Sequence, residues 1–316
     1  MATQPAGEVK RSKQSRDGAF KAYIEVLRPV NCIFGSLTVL IGILNGIVRS
    51  RLGEFLASIQ GLLVVIGGLV VYFFVAGASN LINDIFDVRI DAINRPGRPL
   101  PRGAISLVAA RRFFLILCII AIAMSVVVGL FTPNPLLIPF SVAFFLFVGY
   151  VYARWGKPSG FPGNLMVGAA FSFGIPFGSF HVAWITAIPV VIWFFFGTSA
   201  FLLISRELVK GMEDIEGDRK FNIKTVASTR GTKTATTGSI IFSVLALVTF
   251  TTPAFSLISS IAFITLMVLG DLAVLVSIML LLKDRDSKKN QKYSSLMLKA
   301  GAFLGLVAYV LAPLGT

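Results

Sequence analysis

The chain has 316 residues, 55% of them hydrophobic and 14% charged, a balance too apolar for a soluble globular protein and too long for a single membrane span. Two cysteines and one histidine argue against a disulfide framework, a thiolate metal centre or histidine-based chemistry. The formal net charge of +14 raises nucleic acid as a partner, but the placement of the basic residues excludes that reading.

Residues 1–20 are polar, carry Lys10, Arg11, Lys13 and Arg16, and lead to no short apolar core with a small-residue cleavage site. They are expected to form a disordered basic cytoplasmic tail near anionic head groups, followed over 21–316 by one transmembrane domain. Apolar stretches long enough for a hydrocarbon core of roughly 30 Å lie near 29–48, 58–82, 112–131, 136–152, 164–182, 184–204, 236–254, 257–282 and 296–314. The fold class they define is an all-α integral membrane protein with nine transmembrane helices. Of the 29 Lys and Arg, only Arg49 and Arg51 fall outside one alternating set of loops. That bias predicts a multi-pass protein of the cell membrane with its N-terminus cytoplasmic and its C-terminus outside.

The second span runs into "SNLINDIFDVRIDAINRPGRPLPRG", where Asp84, Asp87 and Asp91 stand at i, i+3 and i+7 and Asn80 lies one turn earlier. A helix continued past residue 82 puts all four on one face, where like charges repel and call for a cationic partner. Oxygen donors without His or Cys favour a hard ion such as Mg²⁺. After the sixth span, Asp214 and Asp218 are i and i+4, with Glu207 two turns back on about the same face. Four predicted helices separate the two acidic stretches, which places both on the cytoplasmic side. Asp87 to Asp214 and Asp91 to Asp218 are each 127 residues apart, a spacing consistent with duplication of a four-helix unit.

Two carboxylate clusters facing each other suit metal ions held on a diphosphate, with Arg95, Arg98, Arg102, Lys157, Arg206 and Lys210 placed to contact phosphate oxygens. Mixed charge at a membrane edge often pairs locally instead. Tyr150, Tyr152 and Lys157 close the fourth span, as interfacial anchors or phosphate contacts. Asp271 falls inside the eighth span and either faces the bundle interior or marks a helix distortion. A transporter also holds paired acids among helices, but its acids spread toward the bilayer midplane, whereas these gather at one mouth.

Asn83-Asp84-x-x-Asp87-x-x-x-Asp91, "NRPGRPLPRG", and "REL" followed by "EDIEGDRKFNIKT" resemble the two aspartate-rich motifs of the UbiA superfamily of intramembrane prenyltransferases. "LRPVN" at 27–31 and "YARWGKPSGFPGN" at 152–164 also look like segments of that superfamily. The resemblance implies helices around a central cavity with both motifs over its cytoplasmic mouth. It implies Mg²⁺ held by Asn83, Asp84, Asp87, Asp91, Asp214 and Asp218, a catalytic set of Asp87, Asp91, Asp214, Asp218, Lys157 and Tyr152, and substrate contacts from Asn83, Arg28, Asn31, Arg95, Arg98, Arg206 and Lys210. Within the superfamily the motifs are most similar to the archaeal digeranylgeranylglyceryl phosphate synthases, whose resemblance implies a prenyl diphosphate donor, a lipid-phosphate acceptor and a role in ether-lipid synthesis. "DAINRPGRPLPRGAIS" is similar to chlorophyll synthase as well, so a tetrapyrrole or aromatic acceptor is the alternative.

Overall fold

The computed structural model describes residues 14–156, 159–220 and 224–314, and every regular element in them is helical. In chain order these are α1 (Gln14–Leu27), α2 (Pro29–Gly46), α3 (Arg49–Ala57), α4 (Ile59–Asn94), α5 (Leu107–Gly129), α6 (Leu137–Val151), α7 (Phe161–Ser172) and α8 (Gly174–Ser179). There follow α9 (Val190–Glu213), α10 (Ile215–Lys220), α11 (Val226–Thr251), α12 (Pro253–Ser256), α13 (Ile261–Lys283) and α14 (Lys288–Leu311). Five of the long helices open on a hydroxyl that accepts from the backbone N–H three residues on: Ser58, Ser106, Thr225, Ser260 and Ser287. Each satisfies one of the donors that a helix start leaves without an intrahelical partner.

Eight helices among the described residues are long and apolar enough to cross a membrane, against the nine expected. The difference lies at 164–182, where α7 and α8 replace a single helix. Pro176 has no N–H to donate to the carbonyl of Ser172, and the chain turns at Phe173. The start of the fold also differs from expectation, because α1 takes in residues 14–20 of the anticipated tail. Residues 1–13 lie outside the described residues.

In a bilayer the tails are as apolar as leucine, so helices associate through close contact and polar groups more than through burial from water. The α2–α8 crossing shows this. A Cβ on Gly42 would lie 2.0 Å from the carbonyl oxygen of Ile175, and one on Gly178 would lie 2.1 Å from that of Val39. Hydroxyl pairs join other helices: Ser205 to Ser239 and Ser243 at 2.9 and 2.8 Å between α9 and α11, and Ser277 to Ser294 at 2.6 Å between α13 and α14. Asp271 sits in an unbroken α13 and accepts from Thr251 Oγ1 at 3.0 Å, which settles its direction as inward, toward α11. One core joins α1, α2, α4, α5 and α6 through Val26, Val39, Leu81, Leu117 and Val142. A second joins α9, α11, α13 and α14 through Leu208, Ala235, Val274 and Leu298, and an aromatic core of Phe195, Phe250, Phe263 and Tyr309 adjoins α2 and α8.

At one end of the bundle, Arg102 in the loop after α4 donates to both oxygens of Glu25 on α1, at 3.0 and 2.7 Å, and to the carbonyl of Gly97 at 2.5 Å. Arg102, expected at a phosphate, is thus a strap between α1 and that loop. The Arg102 hydrogen bond holds the Glu25 carboxyl below its ordinary value.

Two expectations follow. Gly42→Ala should force α2 and α8 apart and cost about 1–3 kcal/mol, read as a lower thermal midpoint of the detergent-purified protein, whereas Gly53→Ala, with open space around it, should leave the midpoint unchanged. Since the Glu25 value is depressed on folding, the strap is intact above the usual carboxylate range and is lost as pH falls through the folded value. Hydrogen-exchange protection over 97–104, corrected for intrinsic rates, should therefore hold at neutral pH and be lost only as pH falls below the usual carboxylate range.

Candidate active site

At 36 residues, α4 is about 54 Å long, far more than a hydrocarbon core requires. Its surplus is the aspartate face, which continues as a helix past residue 82 because the chain meets no breaker until Pro96. Asp84, Asp87 and Asp91 are all buried, at 3%, 9% and 6% exposure. Three carboxylates so placed need cations, and the structure supplies two arginines. Arg28, at the junction of α1 and α2, pairs with Asp84. Arg98 donates to Asp84 at 3.1 Å and pairs with Asp91. The turn that returns Arg98 over the helix end is closed by backbone bonds from Arg98 N to Arg95 O at 3.0 Å and from Arg102 N to Arg98 O at 3.1 Å.

These pairings set four of the expected site residues against one another. Asp84 and Asp91, expected as ion ligands, are held by arginines, and Arg28 and Arg98, expected at substrate phosphates, lie on those carboxylates. Among the described residues no three His, Cys, Asp or Glu side chains converge as ligands of one ion. The donor set nevertheless fits a hard cation at one place. Asn83 Oδ1 is buried without a hydrogen-bond partner, on the turn of α4 that leads into Asp87 and Asp91.

The second acidic stretch has a different construction. Helix α9 ends at Glu213, and Asp214 sits at the break before α10 with φ −93° and ψ 5°. Asp214 is exposed and Asp218 half-buried, while Asp218 N donates to the Asp214 carbonyl at 2.9 Å. Glu207 is engaged by Arg206 at 3.3 Å, leaving Arg206 Nε and Glu213 Oε1 buried without partners among the described residues. Lys288 of α14 donates to the carbonyls of Met212 and Glu213 at 3.2 and 2.7 Å and lies 3.7 Å from Glu216, a cation set on a helix C-terminus. Neither the spacing of Asp214 and Asp218 nor the lysine-rich link after α13 marks this break or the Lys288 contact in the sequence.

Both stretches occupy the same end of the bundle. Tyr152 lies within electrostatic reach of both Asp87 on α4 and Glu207 on α9. It opens a π-helical turn, Tyr152–Gly156, of the kind that recurs at functional sites. A Cβ on Gly156 would stand 2.9 Å from Met166 Sδ and 3.0 Å from Tyr152 Cδ2, so glycine lets α7 pack against the tyrosine. Lys157, the next residue, lies outside the described residues. Lys210 is half-buried on the last turn of α9, whereas Arg95 and Asn31 are exposed. Arg154, on the same π turn, lies over the rings of Phe86 and Trp155 at 5.6 and 5.9 Å.

Residues 51–307 match the UbiA prenyltransferase family. The digeranylgeranylglyceryl phosphate synthase of Korarchaeum cryptofilum is 33% identical over 302 residues, covering 94% of this chain and 98% of that protein. That of Thermococcus gammatolerans is 32% identical, covering 93% and 99%. A solved structure concerned with digeranylgeranylglyceryl phosphate synthase in membranes superposes with a TM-score of 0.73 at 28% identity, covering 93% of this chain and 98% of that one. A UbiA homologue from Archaeoglobus fulgidus bound to GPP and Mg²⁺ shares the fold at a TM-score of 0.64 and 18% identity, over 91% of this chain and 99% of that one. With the matched motif on α4 at the mouth of a membrane bundle and the likeness running nearly end to end, this chain belongs to the UbiA prenyltransferase family and is a multi-pass membrane prenyltransferase.

Proposed function

We propose that the enzyme transfers a geranylgeranyl group from its diphosphate to geranylgeranylglyceryl phosphate, in the synthesis of archaeal ether lipids. The observation that carries this reading is the buried oxygen face of α4, Asn83 to Asp91, set beside arginines where an apolar bundle ends. Near-complete alignment with several digeranylgeranylglyceryl phosphate synthases at about a third identity supports the choice of acceptor. The concentration of Lys and Arg in the loops at this end supports a cytoplasmic mouth, and hence a cytoplasmic N-terminus and an external C-terminus.

Asn83, Asp84, Asp87 and Asp91, with Asp214 and Asp218 from the second stretch, are the residues that would hold Mg²⁺. When bound, the ion neutralises charge on a diphosphate leaving group. The chain's own groups do the rest. Arg98 and Arg28 can exchange a carboxylate partner for phosphate oxygens, and Arg206 and Lys210 face the same mouth from α9. Tyr152 and Lys157 are the donors for the departing oxygen, where preorganised hydrogen bonds count for more than in water. The bond between the allylic carbon and the diphosphate oxygen breaks with its electron pair on oxygen. The acceptor hydroxyl oxygen then bonds to that carbon, and its proton leaves with the diphosphate. Apolar helix walls keep water from competing for the carbon. Arg95, exposed at the mouth, and Arg28 and Arg206 are the candidates for the acceptor's phosphate.

Asp87→Asn should lower turnover at least about a hundredfold while the purified protein keeps its elution volume and thermal midpoint. Chelating divalent metal should abolish transfer, and added Mg²⁺ should restore it; full activity in the chelator would defeat the metal assignment. Incubation with geranylgeranyl diphosphate and a panel of acceptors decides the substrate by product mass. A digeranylgeranylglyceryl phosphate product is expected, and prenylation confined to an aromatic or tetrapyrrole acceptor would overturn the assignment.

A further inference from the structure

The joint between α1 and α2 has the one non-glycine residue with positive φ among the described residues. Arg28 adopts φ 55° and ψ 64°, a left-handed conformation that side chains disfavour, immediately before Pro29. The carbonyl of Leu27 lies at the C-terminus of α1, where a helix leaves its last carbonyls without intrahelical donors. Its donors come from side chains instead. Asn80 Nδ2 donates to Leu27 O at 2.9 Å, and Cys32 Sγ donates to it at 3.1 Å. Asn80 Nδ2 also lies 3.6 Å from Cys32 Sγ.

Three successive turns on one face of α4 therefore grip this joint. Gly77 leaves room for the Leu27 side chain, since a Cβ there would come within 3.1 Å of Leu27 Cδ2. Asn80 takes the Leu27 carbonyl, and Asp84 takes the Arg28 guanidinium. A strained backbone persists only where its surroundings over-determine it, and the amide of Asn80 is the polar group that does so from across the joint.

We propose that Asn80 is a positioning residue: by holding the Leu27 carbonyl it fixes the left-handed turn that aims Arg28 at the acidic face of α4. This deepens the prenyl-transfer reading and rests on it for the consequence to catalysis. It touches no reacting atom and acts through Arg28.

Two measurements on the full-length protein test it. The first needs no substrate. In a Cys118→Ser background, Cys32, which is fully buried, is the remaining thiol, and its alkylation by N-ethylmaleimide reports opening of the joint. Asn80→Leu should speed alkylation about tenfold, and Asn80→Ser, which is too short to reach the carbonyl, should do the same if the leucine variant fails to fold. An unchanged rate in a folded variant overturns the claim that Asn80 holds the joint. The second is a double-substitution cycle on kcat. Asn80→Ser should cost about tenfold with Arg28 present and less than about twofold in an Arg28→Ala background. Equal losses in both backgrounds overturn the positioning role and leave Asn80 a general packing residue. If the unsubstituted enzyme transfers no prenyl group to any acceptor, the functional reading falls, while the alkylation rates still decide whether Asn80 governs the joint.

Discussion

Burying three carboxylates on one face of a helix, at the edge of a hydrocarbon layer, is the constraint from which the rest of this site follows. Desolvated like charges two turns apart repel strongly and need compensation from beyond their own helix. The chain meets the need twice, with Arg28 arriving from the N-terminal side and Arg98 folding back from the loop that follows. Neither arginine gets there by regular structure. One requires a left-handed backbone before a proline, the other a tight turn through Pro96 and Gly97. A second ion pair, Arg102 with Glu25, then fastens that turn to α1.

The remainder of the molecule serves as a stiff frame for this arrangement. Backbone-to-backbone approach at Gly42 and Gly178, paired serine hydroxyls and a stacked Phe195–Tyr309 pair at 3.7 Å are short-range contacts with little freedom to slide. Such contacts suit a site whose donors must stay aimed while long, flexible isoprenoid chains pass beside them.

Much of this was legible in the sequence. The apolar stretches give the helices, the i, i+3, i+7 aspartates give the shared face, and the bias of Lys and Arg gives the end at which the acids gather. Other features were not legible, for identifiable reasons. Within wholly apolar helices periodicity carries no direction, so the inward turn of Asp271 emerges only from its bond to Thr251. The break in the fifth span lies at Pro176, but a proline can equally kink a helix that continues, so the sequence alone does not separate α7 from α8. The i, i+4 spacing of Asp214 and Asp218 reads as one helix, since no proline lies between them to mark the turn at Asp214, whose φ −93° and ψ 5° leave the helical region. Arg28 and Arg102 were visible as charges, yet which carboxylate each would meet depends on contacts 56 and 77 residues away.

Lys288 has a mechanical implication. Its ammonium group grips the final carbonyls of α9 from the first turn of α14, so the C-terminal hairpin is latched to the segment bearing Asp214. A tilt of α13 and α14, imposed by a thinner bilayer or a neighbouring protein, would therefore be delivered to the second acidic stretch as a lever movement.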